Sequence, residues 1–183
     1  MERKDFLKSA CTVGICSCTG IAALSGSKLF GNTKSTDTSE SDWQPGFMRK
    51  RFAKLIANLD STVDKKQKEK ILEDLGKACA EESKEAYYKF KGNISGFIDE
   101  IKKRGDSIEF NKQAGYLRVI GKKQKSCFCP FVDNSITPKD FCNCTVGYNK
   151  EVYGVILEQP VNVKIEESVL RGGERCTMLI NVI

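Results

Sequence analysis

The chain has 183 residues, of which 40% are hydrophobic and 30% are charged, and it carries a net charge of +6. This usage is typical of an ordinary globular domain. Acidic and basic residues are intermixed along the chain rather than grouped, so we expect no nucleic-acid partner. The chain contains no histidine, which excludes serine–histidine and cysteine–histidine nucleophile pairs and all histidine metal ligands from this sequence.

The first 26 residues are predicted to be an export signal. A charged segment, Glu2 to Lys8, precedes a weakly apolar run that is shorter than the roughly 20 residues of a membrane-spanning helix. The stretch Arg3 to Lys8 resembles a twin-arginine signal, with Lys4 in place of the second arginine, and Ile15 to Cys18 resembles a lipoprotein cleavage box. We therefore expect an exported protein, periplasmic or membrane-anchored, that meets the membrane only through this signal or its lipid anchor.

Residues 27–46 are predicted to be a flexible linker, because they are rich in serine, threonine, aspartate and glycine and have no apolar period. Apolar spacings of three and four follow, and they predict helices over 47–58, 63–80, 81–90 and 94–103. In the second helix, Ile71, Leu72 and Cys79 are assigned to the inner face and Lys68 to the solvated face. Asp60 to Thr62 and Asn93 are the expected N-terminal caps.

The pattern then changes to alternation of apolar and polar residues. It predicts a hairpin over 107–110 and 116–121 and two further strands over 161–165 and 176–182. A helix over 146–157 is predicted between the hairpin and these two strands. Helices grouped first and strands afterwards indicate an α+β fold. We expect residues 47–183 to form one cysteine-rich domain in which N-terminal helices pack on a small antiparallel sheet.

Nine cysteines are many for a chain of this size, and six of them belong to the predicted domain. Cys127 and Cys129 form one C-x-C pair, and Cys142 and Cys144 form a second. Four thiols on two short loops suit zinc or another soft metal ion. Disulfides are the alternative expected of an exported domain, and unpaired core or redox thiols are a third.

Three segments carry a family resemblance: S-C-F-C-P, F-C-N-C-T-V-G-Y and P-V-N-V-K-I-E-E-S-V-L-R-G-G-E-R-C-T-M-L-I. They resemble the L-2-amino-thiazoline-4-carboxylic acid hydrolase-like family, and they are similar to the C-terminal half of the 4-vinyl reductase domain. The resemblance implies a small α+β ligand-binding domain and hydrolysis of a cyclic C–N or C–S bond. It places five cysteines on recurring positions, where they are tentative metal ligands: Cys127, Cys129, Cys142, Cys144 and Cys176.

Without histidine, such a hydrolysis needs a metal-bound water, a thiolate or a glutamate of raised pKa. The catalytic candidates are therefore Cys142, Cys144 and Glu166, with Arg171 as a clamp for a substrate carboxylate. The predicted helix over 146–157 begins beside the cysteines, so its dipole is expected to favour thiolate there. Cys79 and Cys176 are expected to face the same pocket.

Three functions remain open at this point. The first is an exported small-molecule hydrolase, and the second is a noncatalytic metal- or ligand-binding module. The third is a disulfide-stapled interaction domain. The expected partner in the first two is a small molecule.

Overall fold

The computed structural model describes residues 43–183, and the predicted signal and the linker up to residue 42 lie outside them. The fold is α+β, as predicted. Within the described residues, five α-helices accompany one four-stranded antiparallel sheet. The elements are α1 (Trp43–Thr62), α2 (Lys65–Glu82), α3 (Lys84–Tyr88), α4 (Ile94–Lys103), β1 (Ser107–Asn111), β2 (Tyr116–Ile120), α5 (Asn143–Leu157), β3 (Val161–Glu167) and β4 (Thr177–Val182). None of the helices between residues 43 and 183 has the length and apolar character needed to cross a membrane.

The N-terminal helices differ from their predicted boundaries. Helix α1 already begins at Trp43, inside the segment that we predicted to be linker. Helix α2 is capped by Asp64 rather than by residues 60–62, because Asp64 and Gln67 form a reciprocal capping box. The Gln67 backbone N–H donates to Asp64 Oδ1 at 2.8 Å, and the Asp64 N–H donates to Gln67 Oε1 at 3.2 Å.

The buried face of α2 includes Leu72 and Cys79, as predicted, but the prediction was wrong for Ile71 and Lys68. Lys68 and Leu72 are buried, whereas the side chain of Ile71 is 43% exposed. The prediction was wrong for Lys68, because its ammonium is paired with Asp60 at 2.7 Å and with Asp140 at 2.5 Å. A buried lysine is tolerated when its charge is paired in this way.

Two glycines explain why this face turns inward. Gly76 of α2 and Gly147 of α5 lie where the two helices touch. A Cβ built on Gly76 would lie 1.8 Å from the backbone oxygen of Cys144, and one built on Gly147 would lie 1.8 Å from the backbone oxygen of Glu73. No residue with a side chain fits at either position, so the two backbones set the face that α2 presents to the core.

The sheet has the strand order β1-β2-β4-β3, and all neighbours are antiparallel. The predicted hairpin is confirmed as β1 and β2, and the cap of α4 by Asn93 is confirmed by the Gly96 N–H, which donates to Asn93 Oδ1 at 3.0 Å. Side chains alternate between two faces. Leu117 and Ile180 are buried under the helices, and the face away from the helices, here called the outer face, carries Arg118.

We predict that Gly147→Ala destabilises the protein by at least about 1–3 kcal/mol, because the added methyl group meets backbone rather than a movable side chain. Gly154→Ala, on the same helix, is the matched control. A Cβ at Gly154 would lie 3.7 Å from the nearest such atom, so this change should be neutral or stabilising by up to about 1 kcal/mol. Urea unfolding of both variants measures the difference, and equal stability of the two would contradict the close contact.

Candidate functional site

The four cysteines of the C-x-C pairs lie in one apolar cluster. Cys142 is buried in it, and Cys127, Cys129 and Cys144 pack against it. The cluster is built on the buried side chains of Ile56, Leu72, Val132, Phe141 and Leu170. The sequence therefore indicated correctly that these two loops meet, although α5 begins at Asn143 and Cys144 belongs to the helix itself.

Cys79 and Cys176 extend this cluster in two directions. Cys79, on α2, lies near Cys129 and Cys144 and contributes to raising the pKa of both thiols. Cys176, just before β4, lies near Cys142 and contributes to raising the pKa of that thiol. All six cysteines from Cys79 to Cys176 are free thiols in the structure. No disulfide bond is therefore formed among the described residues.

Burial disfavours the thiolate form of Cys127, Cys129, Cys142 and Cys144 by raising their pKa values. Burial raises the pKa of Cys144 to about 12, and the neighbouring thiols, Cys79 first, add to the shift. Burial also raises the pKa of Cys142, although the hydrogen bond with Ser168 and the charge of Arg171 act in the opposite direction. Burial therefore acts against the thiolate form that the helix dipole was expected to favour at these two residues. Protonated thiols are poor nucleophiles.

A soft metal ion fits the chemistry of these side chains but not their present spacing. Among residues 43–183, no three histidine, cysteine, aspartate or glutamate side chains lie close enough together to hold a metal ion. Ligation by Cys127, Cys129, Cys142, Cys144 and Cys176 stays a prediction, as does the use of zinc.

The catalytic candidates are divided between the two faces of the sheet. Ile165 packs against the cysteine cluster, so Glu166, the next residue, points to the outer face. There Arg118 Nε donates to Glu166 Oε2 at 2.8 Å and Arg118 Nη1 donates to Glu109 Oε2 at 2.9 Å. Glu166 is thus a member of a surface ion-pair network and lies apart from Cys142 and Cys144.

Arg171 lies on the same side of the sheet as Cys142. Its Nη2 donates to Asn143 Oδ1 at 3.0 Å, and its Nε donates to the backbone oxygen of Lys139 at 3.4 Å. Cys142 Sγ lies 2.9 Å from Ser168 Oγ. The structure therefore brings Cys142 and Arg171 into one region and leaves Glu166 out of it.

The sequence did not predict a cavity of about 460 Å³ between the sheet and the helices. Five aromatic side chains line this cavity, which we call the aromatic cavity: Tyr87, Phe97, Phe128, Tyr148 and Tyr153. They come from α3, α4, α5 and the loop after β2, so no short motif could have revealed them. Aromatic residues on the inner faces of α4 and α5 were the available signal.

Polar side chains also line the aromatic cavity, and several of them form hydrogen bonds within the protein. Asn149 Nδ2 donates to the backbone oxygen of Thr145 at 2.8 Å and contacts Met178 Sδ at 3.1 Å. Tyr148 Oη lies 3.3 Å from Ser83 Oγ. Phe97 and Tyr153 pack edge to face with ring centroids 5.6 Å apart. The cavity therefore combines packed aromatic rings with hydrogen-bonding groups in its wall.

The cysteine cluster and the aromatic cavity share a border. Phe128, between Cys127 and Cys129, lines the cavity and is 79% exposed, so it lies at the opening. Cys176 lines the cavity as well. The architecture is that of an α+β domain with an apolar pocket between its helices and one face of an antiparallel sheet.

Comparison with known proteins places the chain in a family. The model of a family of unknown function, DUF6144, matches residues 29–183, and the chain belongs to this family. No curated protein matches it.

Among solved structures, the phenol-responsive sensory domain of the transcription activator PoxR, with phenol, is similar over 73% of this chain and 74% of that one. The identity is 14% and the TM-score is 0.50. Subunit 3 of a trafficking protein particle complex from Naegleria fowleri, covalently bound to palmitic acid, is similar over 76% and 95% of the two chains, with 12% identity and a TM-score of 0.49. These likenesses concern the fold.

We predict that the stability of the protein falls as the pH rises above about 9 and that Cys144 contributes to this fall. The pKa of Cys144 in the folded protein is about 12, whereas the ordinary pKa of a cysteine thiol is 9.0. The thiol therefore stabilises the folded state below the lower value, and this contribution is lost as the pH rises toward the higher one. Urea unfolding in a reducing buffer, from about pH 7 to about pH 10.5, should show a smaller loss for Cys144→Ala than for the wild type. Parallel curves for the two proteins would contradict the raised pKa.

Proposed function

We propose that this domain is a noncatalytic module that binds a small aromatic molecule in the aromatic cavity. The observation that carries the proposal is the cavity itself, which has a volume of about 460 Å³ and five aromatic side chains in its wall. Pockets for small molecules typically have volumes of roughly 300–1,000 Å³ and are mostly apolar with a few polar groups.

The wall is suited to a flat apolar ligand. Ring stacking and edge-to-face contacts favour aromatic partners beyond the area that they bury. Tyr148, Thr145 and Asn149 supply hydrogen-bonding groups beside the rings, and such groups suit a ligand with a hydroxyl or carbonyl substituent. Arg104, Asp106 and Lys122 also line the cavity, so polar substituents of a ligand can meet charged side chains of both signs there.

The comparison with the PoxR sensory domain supports the proposal at the level of fold. That domain is described as phenol-responsive and its structure contains phenol. At 14% identity the likeness transfers no binding residue, so the argument for an aromatic ligand rests on the side chains of this chain.

The cavity contains no evident pair of nucleophile and base. Its one cysteine, Cys176, is held as a thiol because burial raises its pKa, and burial likewise raises the pKa of Tyr153. The hydrolase activity implied by the family resemblance stays a prediction. Its candidates Cys142 and Glu166 lie on different faces of the sheet, and binding without turnover agrees better with this arrangement.

We predict that the full-length protein binds phenol saturably and that Met178→Trp weakens this binding by at least about tenfold. Met178 lines the cavity, and an indole at this position fills the space that the ligand needs. Isothermal titration calorimetry with phenol measures the change.

Leu179→Trp is the matched control, because Leu179 is the next residue on β4 and faces the other side of the sheet. It should bind phenol like the wild type. Equal weakening by both variants, or no saturable binding of phenol or of a larger fused-ring probe such as 1-naphthol, would overturn the proposal. Release of a product from an aminothiazoline carboxylate by the wild type would favour the hydrolase instead.

A further inference from the structure

A second concave surface lies away from the aromatic cavity. It is a groove of about 700 Å³ between the junction of α1 and α2 on one side and the start of α5 with Arg171 on the other. We call it the charged groove and define it by Lys65, Lys68, Lys139, Asn143 and Arg171. Nothing in the proposed binding of an aromatic molecule uses these residues.

Lys68 forms ion pairs with two of the carboxylates that line the groove, those of Asp60 and Asp140. The side chain of Lys68 is only 5% exposed, and its Nζ lies 2.7 Å from Asp60 Oδ1 and 2.5 Å from Asp140 Oδ2. Burial disfavours the ammonium, but the hydrogen bonds and charges of Asp140 and Asp60 outweigh it and raise the pKa of Lys68. Asp60 and Asp140 therefore share the one positive charge of Lys68, and Glu69 is the third acidic side chain that lines the groove.

The remaining cations are not neutralised within the domain. Among residues 43–183, Lys65, Lys139 and Arg171 form no ion pair, although all three line the same groove. Four cations of the groove, Lys65, Lys68, Lys139 and Arg171, face three carboxylates, Asp60, Glu69 and Asp140, which leaves a net charge of +1. A concave surface of one sign attracts ions of the other.

Arg171 is held in place for such a role. Its Nε and one Nη2 hydrogen are used by Lys139 O and Asn143 Oδ1. A guanidinium has five N–H groups, so the end of the fork that Nη1 and Nη2 share is still available for two parallel hydrogen bonds. Because Asn143 presents Oδ1 to Arg171, its own NH₂ group is left to donate as well.

From this arrangement we infer that the charged groove binds a small oxyanion, a carboxylate or a phosphate, with Arg171 as the bidentate donor and Lys65 and Lys139 as its charge partners. Arginine forks match the geometry of both groups. The donors are supplied by α2, by the turn before α5, by α5 and by the turn after β3, so the anion would join four segments that meet near Cys142. The inference does not depend on the aromatic ligand.

The test titrates the full-length protein separately with inorganic phosphate and with citrate, at ionic strength held constant with sodium chloride. The readout is the NMR signal of the Arg171 Nε–H group, assigned from its loss in Arg171→Gln, together with calorimetry. We expect saturable binding of at least one anion, and a loss of at least about fivefold in affinity in Lys139→Gln. Arg171→Lys keeps the charge but lacks the fork, so it should lose more affinity for citrate than for phosphate.

Lys164→Gln is the matched control. Lys164 is an exposed lysine on the outer face of the sheet, and its removal changes the net charge by the same amount as Lys139→Gln. It should leave the affinity unchanged. Equal losses of anion affinity in the two lysine variants would mean that only the net charge of the protein matters, and this would overturn the inference. The absence of saturable binding with both anions would overturn it as well. Phenol binding should be unaltered in Lys139→Gln. Anion binding in the charged groove and phenol binding in the aromatic cavity can therefore be confirmed or rejected separately.

Discussion

The absence of a side chain at Gly76 and at Gly147 is the constraint on which the rest of the domain depends. It lets the backbones of α2 and α5 touch, and this fixes the rotation and the depth of both helices. With α2 in this orientation, Cys79 and Leu72 face the cluster at the start of α5, and Lys68 faces Asp140. The ion pair between Lys150 and Glu73, at 2.7 Å, closes the edge of the same interface.

Helix α5 connects the three chemical regions of the molecule. Its first residues carry Asn143 of the charged groove and Cys144 of the thiol cluster, and its next two turns carry Tyr148, Val152 and Tyr153 of the aromatic cavity. A rigid helix gives each region a fixed position relative to the others. Cys142 and Cys144, between the groove and the cavity, are packed among apolar side chains, and this burial raises the pKa of both thiols.

The sequence predicted those parts of the fold that follow from local patterns. The hairpin of β1 and β2, the Asn93 cap and the alternation of β3 are local, and each was found near its predicted place. The inward face of α2 was not predictable in the same way. Glycine has no apolar side chain to count, and Lys68 becomes acceptable inside only because Asp140, far along the chain, supplies a carboxylate.

In the candidate site, too, the features set by local sequence were predictable and those set by tertiary packing were not. Convergence of the two C-x-C pairs was predictable because each pair lies on a short segment near the other. The protonation of the thiols was not, because it depends on how much of the core covers them. The aromatic cavity needed the tertiary arrangement of α3, α4, α5 and the sheet. Glu166 was a plausible acid from its neighbours in sequence, but strand alternation sends it to the far side.

The strand order has a consequence for the way in which the protein is made. Strand β4 comes after every other described element in the chain, yet it lies inside the sheet between β2 and β3. During synthesis the helices and the β1–β2 hairpin leave the ribosome first, and the sheet stays in two parts until residues 177–182 emerge. Met178 and Cys176 complete the wall of the cavity. A nascent chain therefore leaves the apolar lining of the cavity incomplete until residues 177–182 have emerged and paired with both β2 and β3.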